Sequence, residues 1–298
     1  MYRKIMATSF DNPYVSALQT FYNKVGQNYD ATTSSFHTEG ASRMIEAAGP
    51  AIKEGSYVLD LASGTGNVAL AAATKVGSKG RVLCIDISDT FLAQAAIKAK
   101  QSGLADIAKF SHQDVTDLIL PAEFPAHSFE AVTCGSAIAM FPDVKAVVRI
   151  AATEILKPGG VFLADMNAGN IPARLFLDAA TPKGFQPPFD PSWLSDVEGS
   201  LRRIFEGSTF EVKEVLARDI SMGTKHWDVS TAEKLDALWD NIAFHQSWVS
   251  FGVDKLSKEV LEEVKEDWIS KVNELSNDDG LLIGGMKQYI IVAALNSE

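Results

Sequence analysis

The sequence predicts an α/β fold: a mostly parallel sheet with helices on both faces. Three observations lead there. Residues 57–69 run in order as an apolar strand, an acid, a small-residue turn and an alanine-rich, helix-prone segment. Arg81-Val82-Leu83-Cys84-Ile85-Asp86 repeats the apolar run closed by an acid, and Asp86 falls 20 residues after Gly66. Strand-like and helix-like segments then alternate from residue 57 to about 167, as crossover helices between parallel strands require.

Taking the elements in order, residues 12–50 read as two short helices flanking a polar link, Ala31-Thr32-Thr33-Ser34-Ser35-Phe36-His37. Tyr57-Val58-Leu59-Asp60-Leu61 is the first strand, and Ala62-Ser63-Gly64-Thr65-Gly66 the turn after it. Gly64 and Gly66 lack a side chain, so the backbone can take turn dihedrals and approach a ligand closely. The helix that follows opens with free N–H groups, a site for a carboxylate or phosphate. This turn is read as binding a nucleotide-like cofactor. At the tip of the neighbouring strand, Asp86 is placed to accept hydrogen bonds from both hydroxyls of a ribose. It could instead cap the helix beginning near Asp89-Thr90-Phe91, a task Ser88 could equally perform.

Two cofactors suit a glycine turn followed by such an acid. Gly64-Thr65-Gly66-Asn67-Val68-Ala69 satisfies the G-x-G-x-x-G/A pattern of dinucleotide sites, which keeps NAD(P) in view. Against it, Asp60 stands at the strand end, where a carboxylate would repel a pyrophosphate but tolerate the amino group of an amino acid. A long N-terminal segment also precedes the strand, whereas dinucleotide domains often begin with it.

Asp60-Leu61-Ala62-Ser63-Gly64-Thr65-Gly66 resembles the first motif of the class I S-adenosylmethionine (SAM) dependent methyltransferases, and more narrowly their ubiquinone and menaquinone biosynthesis branch. The resemblance covers roughly residues 20–170 and resumes at Met286–Leu295. It implies a Rossmann-like, seven-stranded sheet whose last hairpin is antiparallel, with SAM as cofactor. It further implies a cofactor site made of Tyr29, Asp60, Ala62, Ser63, Gly64, Thr65, Gly66, Asp86, Ile87, Phe91, Gln113, Asp114, Val115 and Ser136. In that site Asp86 holds the ribose and Asp114 takes the exocyclic amine of adenine. Ile87 and Phe91 wall the ring, and Tyr29 lies against the methionine moiety, with Tyr22 as second choice. Phe129-Glu130-Ala131-Val132-Thr133-Cys134-Gly135-Ser136 resembles the fourth strand, followed by Phe141-Pro142-Asp143. Leu156-Lys157-Pro158-Gly159-Gly160 resembles the turn into the fifth, where Pro then Gly suits type II geometry. Two departures stand out. Ala62 replaces a frequent glycine, and Ala139-Met140 stands where many relatives carry histidine.

Composition narrows the function. With 38 acids against 27 bases the formal charge is −11, and no dense Lys/Arg run offsets it, so nucleic acid is not expected as a partner. No apolar run reaches bilayer-spanning length, and residues 1–6 lack the apolar stretch of a secretory signal, so a cytoplasmic protein is expected. Cys84 and Cys134 each fall inside a strand and read as free, buried thiols. Without a Cys/His cluster at ligand spacing, no metal is expected.

We expect one domain over residues 1–298: an N-terminal helical segment (1–50), a SAM-binding core (51–167), a cap or substrate region (168–280) and a closing strand (281–298). The cap holds all five tryptophans, Trp193, Trp227, Trp239, Trp248 and Trp268, with Phe185, Phe189, Phe205, Phe244 and Phe251. These rings either form an apolar acceptor pocket or pack an extra helical layer. Leu256, Val260, Leu261, Val264, Trp268, Val272 and Leu275 follow helical spacing and read as packing.

The resemblance implies methyl transfer to O, N or C of a small, apolar or aromatic molecule. The reactive methyl belongs to the cofactor, so the chain's own task is alignment. A general base is needed only where the acceptor must lose a proton, and His245 and His226 are the candidates, each beside aromatic residues. Of the remaining histidines, His112 reads as packed and hydrogen-bonded and His127 as loop surface. The alternatives are a protein that keeps the fold without transferring methyl, such as a cyclase or binding subunit, and an NAD(P)-dependent oxidoreductase.

Overall fold

The computed structural model describes residues 12–26, 29–187, 189–245 and 252–296. Helices α1 (Pro13–Val25) and α2 (Tyr29–Ala47) precede the alternating core: β1 (Tyr57–Leu61), α3 (Asn67–Val76), β2 (Arg81–Asp86), α4 (Asp89–Gln101), β3 (Ala108–His112), β4 (Phe129–Cys134), α5 (Val144–Ile150) and β5 (Leu156–Ala168). Then come α6 (Ile171–Ala180), α7 (Ser192–Ser195), α8 (Val197–Arg203), β6 (Phe210–Asp228), α9 (Ala232–Asp240), α10 (Lys258–Leu275) and β7 (Leu281–Leu295).

The seven strands form one sheet in the order β3-β2-β1-β4-β5-β7-β6. Pairings among the first five are parallel, with Asp60 opposite Cys84 on β2 and Thr133 on β4, and Asp86 opposite His112 on β3. The last strands run antiparallel, as expected. The strand order reverses between β1 and β4, so the crevice beyond their carboxyl ends is the switch point at which such sheets bind ligands.

Local chemistry explains the helix ends. Asn12 accepts from the Tyr14 N–H ahead of Pro13 at the start of α1, and Ser88 accepts from the Phe91 N–H to cap α4. The turn opening β5 has Gly159 at φ +76°, and a Cβ on Gly160 would stand 2.9 Å from the Lys157 carbonyl oxygen. That agrees with the type II reading. The N-terminal segment differs from expectation: residues 31–37, read as a polar link, lie within the single helix α2. Asp30 in its first turn favours the helix through the macrodipole, and burial of Ala41, Met44 and Ile45 in the core holds it against the poor propensity of the Thr and Ser residues.

Two compact units emerge. The first comprises the chain to Met166, Glu198–Ala217 and Tyr289 onward; the second comprises Asn167–Val197 and Arg218–Gln288. The core of the first joins Met44, Ile45 and Ile52 to Val58, Val82 and the alanine-rich face of α3 (Ala69, Ala72, Ala73, Val76). Cys84, in this core, and Cys134, at the end of β4, are both free and buried. A separate trio, Phe162, Phe205 and Phe210, meets at centroid distances of 5.3–6.1 Å.

In the second unit Phe176, Phe185, Trp239 and Trp268 form a chain of ring contacts, and Trp268 Nε1 donates to the Pro172 carbonyl at 2.9 Å. Val264, Trp268 and Val272 are the buried stripe of α10, whereas Leu275 at its end is exposed. These rings pack the unit's own interior. Trp193 is buried as well, Phe244 is exposed, and Trp248 and Phe251 lie outside the described residues.

Candidate functional site

The turn after β1 is fixed by its backbone. Ala62 has φ +49°, a left-handed conformation for a residue with a Cβ, followed by Gly64 at +55° and Gly66 at +85°. Ser63 N–H donates to the Ile85 carbonyl and Gly66 N–H to the Ser63 carbonyl, both at 2.9 Å. A Cβ on Gly66 would stand 3.0 Å from that of Ala95, so glycine lets α3 begin against α4.

Asp86 bolts this turn to β2. One carboxylate oxygen accepts the Gly64 N–H and the other the Ser88 N–H, each at 2.8 Å. Burial raises its pKa to about 6, against the pull of the Ser88 and Gly64 amides. Ser88 does the helix capping, and each Asp86 oxygen keeps a lone pair for a further donor.

Asp60 is buried with one oxygen satisfied. Thr133 Oγ1 donates to its Oδ1 at 2.6 Å, whereas Oδ2 has no hydrogen-bond partner. Burial raises its pKa to about 7; Thr133 and the Ala69 amide pull it down, and Asp86 and Asp165 push it up. Asp114 repeats the arrangement. Its Oδ1 accepts the Thr116 N–H and hydroxyl at 2.8 and 2.9 Å, and its Oδ2 is buried without a partner. Ser63 Oγ is also buried and unpaired.

Tyr29 begins α2, with its ring 4.9 Å from Phe91 and 5.5 Å from His37, and its hydroxyl 3.2 Å from His37 Nε2. Burial raises its pKa to about 12. Tyr22 touches Phe91 as well, at 5.7 Å, so both tyrosine candidates gather on one ring. Phe91 is buried, Ile87 is half-buried and Val115 is buried. The Ile87 carbonyl accepts from Gln19 Nε2 at 2.9 Å.

Two expectations change. The Gln113 amide is spent locally: its Nε2 donates to Ser111 Oγ and the Ile119 carbonyl, and its Oε1 accepts the Ile119 N–H at 2.7 Å. That clasp closes the exposed loop after β3, so the side chain is not free for a cofactor. Ser136 is exposed at φ +54°, held by its N–H, which donates to Asp165 Oδ1 at 2.5 Å. His112 is less packed than expected; it sits at the surface 3.4 Å from Asp89 and 2.9 Å from the Ile87 carbonyl. His127 is on the surface, as read.

Sequence reasoning passed over Asp165 and Asp30. Asp165 ends the apolar run Val161–Ala164, the same signature that marked Asp60 and Asp86. Asp30 accepts from Thr65 Oγ1 at 2.6 Å and Lys98 Nζ at 2.8 Å. Burial pulls its pKa upward, yet the Lys98 and Thr65 hydrogen bonds outweigh that and leave it below its ordinary value. The candidate bases lie in the second unit: His226 is exposed on β6, and His245 ends a π-helical turn over Asn241–His245. Among the described residues no group of acids, histidines and cysteines could hold a metal, and no helix is long and apolar enough to cross a membrane.

Comparison with known proteins follows the same lines. Residues 52–193 match the family described as methyltransferase domain. The 2-phytyl-1,4-naphtoquinone methyltransferase of Synechococcus elongatus is 32% identical over 145 residues, which is 48% of this chain and 60% of that protein. The ubiquinone/menaquinone biosynthesis C-methyltransferase UbiE of Sinorhizobium fredii is 31% identical over 146 residues, 48% of this chain and 55% of that one. The chain thus spans little more than half the length of these curated relatives. Among solved structures, Haemonchus contortus phosphoethanolamine N-methyltransferase 2 in complex with SAM shares the fold, with a TM-score of 0.55 at 16% identity over 99% of this chain and 61% of that one. Residues 52–193, just under half of the chain, are thus similar to the class I SAM-dependent methyltransferases, and they resemble the ubiquinone and menaquinone biosynthesis branch of that group.

Proposed function

We propose that the protein transfers a methyl group from SAM to O, N or C of a small, apolar or aromatic organic molecule. One observation carries the cofactor: Asp60 Oδ2 and Asp114 Oδ2 are buried acceptors without partners, at the carboxyl ends of the two strands flanking β2. A buried carboxylate oxygen left unpaired is costly, and a ligand bearing donors at both ends would relieve it. SAM fits that demand. Asp114 would take the adenine amine, Asp86 the ribose hydroxyls through its remaining lone pairs, and Asp60 the amino group of the methionine part. Ala62, Ser63, Gly64, Thr65 and Gly66 would line the backbone of the site, with Ile87, Phe91 and Val115 around the adenine, Ser136 at the cofactor just beyond β4 and Tyr29 towards the methionine.

The sulfonium supplies an activated methyl. The chain's residues hold donor and acceptor in line, an orientation effect that can supply several kcal/mol. An acceptor that must lose a proton calls for a base, and His245 and His226 are assigned to it. Asn at the residue used would then lower turnover by about 10²-fold or more; unchanged turnover in both variants removes the assignment. The naphthoquinone and ubiquinone relatives support a ring-bearing acceptor. The acidic balance supports a small molecule over nucleic acid, and the two free thiols support a reducing, cytoplasmic setting.

Thermal unfolding with S-adenosylhomocysteine, compared with NAD(P), tests the cofactor. Ligand at about 100 times its dissociation constant adds roughly 2.7 kcal/mol of stability, a shift of a few degrees. Stabilisation by S-adenosylhomocysteine alone is expected, and an acceptor screen with labelled SAM then separates methyl transfer from binding without transfer. Stabilisation by NAD(P) alone would make the protein an oxidoreductase.

A further inference from the structure

Asp30 joins three elements through one carboxylate. It stands in the first turn of α2, takes the Thr65 hydroxyl on one oxygen and the Lys98 ammonium of α4 on the other. Thr65 lies between the two glycines of the turn and is 2% exposed, so its hydroxyl proton needs an acceptor inside the protein. Asn67 Nδ2 donates to the same hydroxyl oxygen at 3.3 Å, which leaves the hydroxyl hydrogen directed to Asp30. The turn is therefore held from two sides, by Asp86 at Gly64 and by Asp30 at Thr65.

The N-terminal helices are tied to the same neighbourhood by polar contacts. Ser88 Oγ donates to Asn23 Oδ1 at 2.7 Å, Gln94 Nε2 to the Gly26 carbonyl, and Gln19 Nε2 to the Ile87 carbonyl. Tyr29, adjacent to Asp30, is set against Phe91 by the same attachment. A change at Asp30 would thus reach both the glycine turn and the aromatic group beside it.

We infer that Asp30 is a positioning residue for the cofactor, holding the glycine turn in its binding shape through Thr65 and fixing Tyr29 beside it, with Lys98 as counter-charge. This rests on the cofactor reading above. Asp30 is 40% exposed, so substitutions there are compatible with folding.

The test is calorimetric titration of the full chain with S-adenosylhomocysteine. Asp30→Ala and Thr65→Val should each weaken binding about tenfold, as loss of a charge-assisted hydrogen bond does, and the double variant should be no weaker than the worse single one. Asp30→Asn keeps an acceptor for Thr65 and should recover most of the affinity. Wild-type affinity in Asp30→Ala, losses that multiply in the double variant, or Asp30→Asn as weak as Asp30→Ala would each overturn the inference. Should the wild type bind no S-adenosylhomocysteine, the cofactor reading falls and amide hydrogen exchange decides on Asp30. Faster exchange at Thr65 and Gly66 in Asp30→Ala but not in Asp30→Asn supports its hold on the turn; unchanged exchange overturns it.

Discussion

Thr133 donates its hydroxyl to Asp60 Oδ1 at 2.6 Å across the β4–β1 pairing, and the other oxygen of that carboxylate has no hydrogen-bond partner. The acid is thus half-satisfied by the fold and half-reserved. With its pKa raised to about 7, it is protonated in much of the ligand-free protein at neutral pH. A cationic amino group prefers the ionised form. Affinity for S-adenosylhomocysteine should therefore fall as pH drops below about 7, approaching tenfold per pH unit in the limit. Asp60→Asn should bind more weakly at pH 8 and show a flatter profile, measured by calorimetry across pH 5.5–8.5.

The same carboxylate has a stability consequence of opposite sense. Its folded pKa lies above its ordinary value of 3.8, so the folded state holds more protons than the unfolded state between the two. Ligand-free stability must then decline as pH rises from about 4 to 7, and Asp86, raised to about 6, adds to the decline. Asp60→Asn should stabilise the free protein at pH 8, by up to a few kcal/mol, and much less at pH 5. Urea unfolding at both values checks this.

Asp86→Ala removes the acceptor of two backbone amides and the proposed ribose partner together. Binding of S-adenosylhomocysteine should weaken by roughly 2–3 kcal/mol. Undiminished affinity would contradict the cofactor assignment.

Ala62 holds a left-handed φ of +49° with a Cβ, a conformation costing about 1–2 kcal/mol. Glycine relieves that strain but loses about 0.5–1 kcal/mol of backbone entropy. Ala62→Gly should therefore stabilise the protein slightly, by about 0.5–1 kcal/mol in denaturant unfolding.

Trp268 anchors the second unit, fully buried against Trp239 and bonded to the Pro172 carbonyl. Trp268→Ala should destabilise by about 3–5 kcal/mol. Trp268→Phe, which leaves that carbonyl unpaired, should cost about 1–3 kcal/mol.

The parts legible in the sequence share one property: their signals are local. The glycine turn, Asp86 at its fixed interval and the turn at Lys157–Gly160 each depend on dihedrals and spacing within a few residues. The partners of the site residues lie on distant segments, and local signals do not carry them. Gln113 clasps Ile119 across an exposed loop that needed closing, a demand visible only in three dimensions. Asp30 meets a partner 35 residues away, and Asp165 one 29 residues away. The polar run at residues 31–37 has weak helix propensity, and its helix could not be read from it.

The interleaving of the two units has a consequence for synthesis. The first unit is not finished when Met166 leaves the ribosome, because Glu198–Ala217 and the residues from Tyr289 complete it. Its nascent sheet waits with an unfilled edge while the whole of the second unit is translated. Removing residues 289–295 would therefore not trim an appendage; it would withdraw half of β7 from the interior of the sheet and leave the unit that carries the glycine turn incomplete.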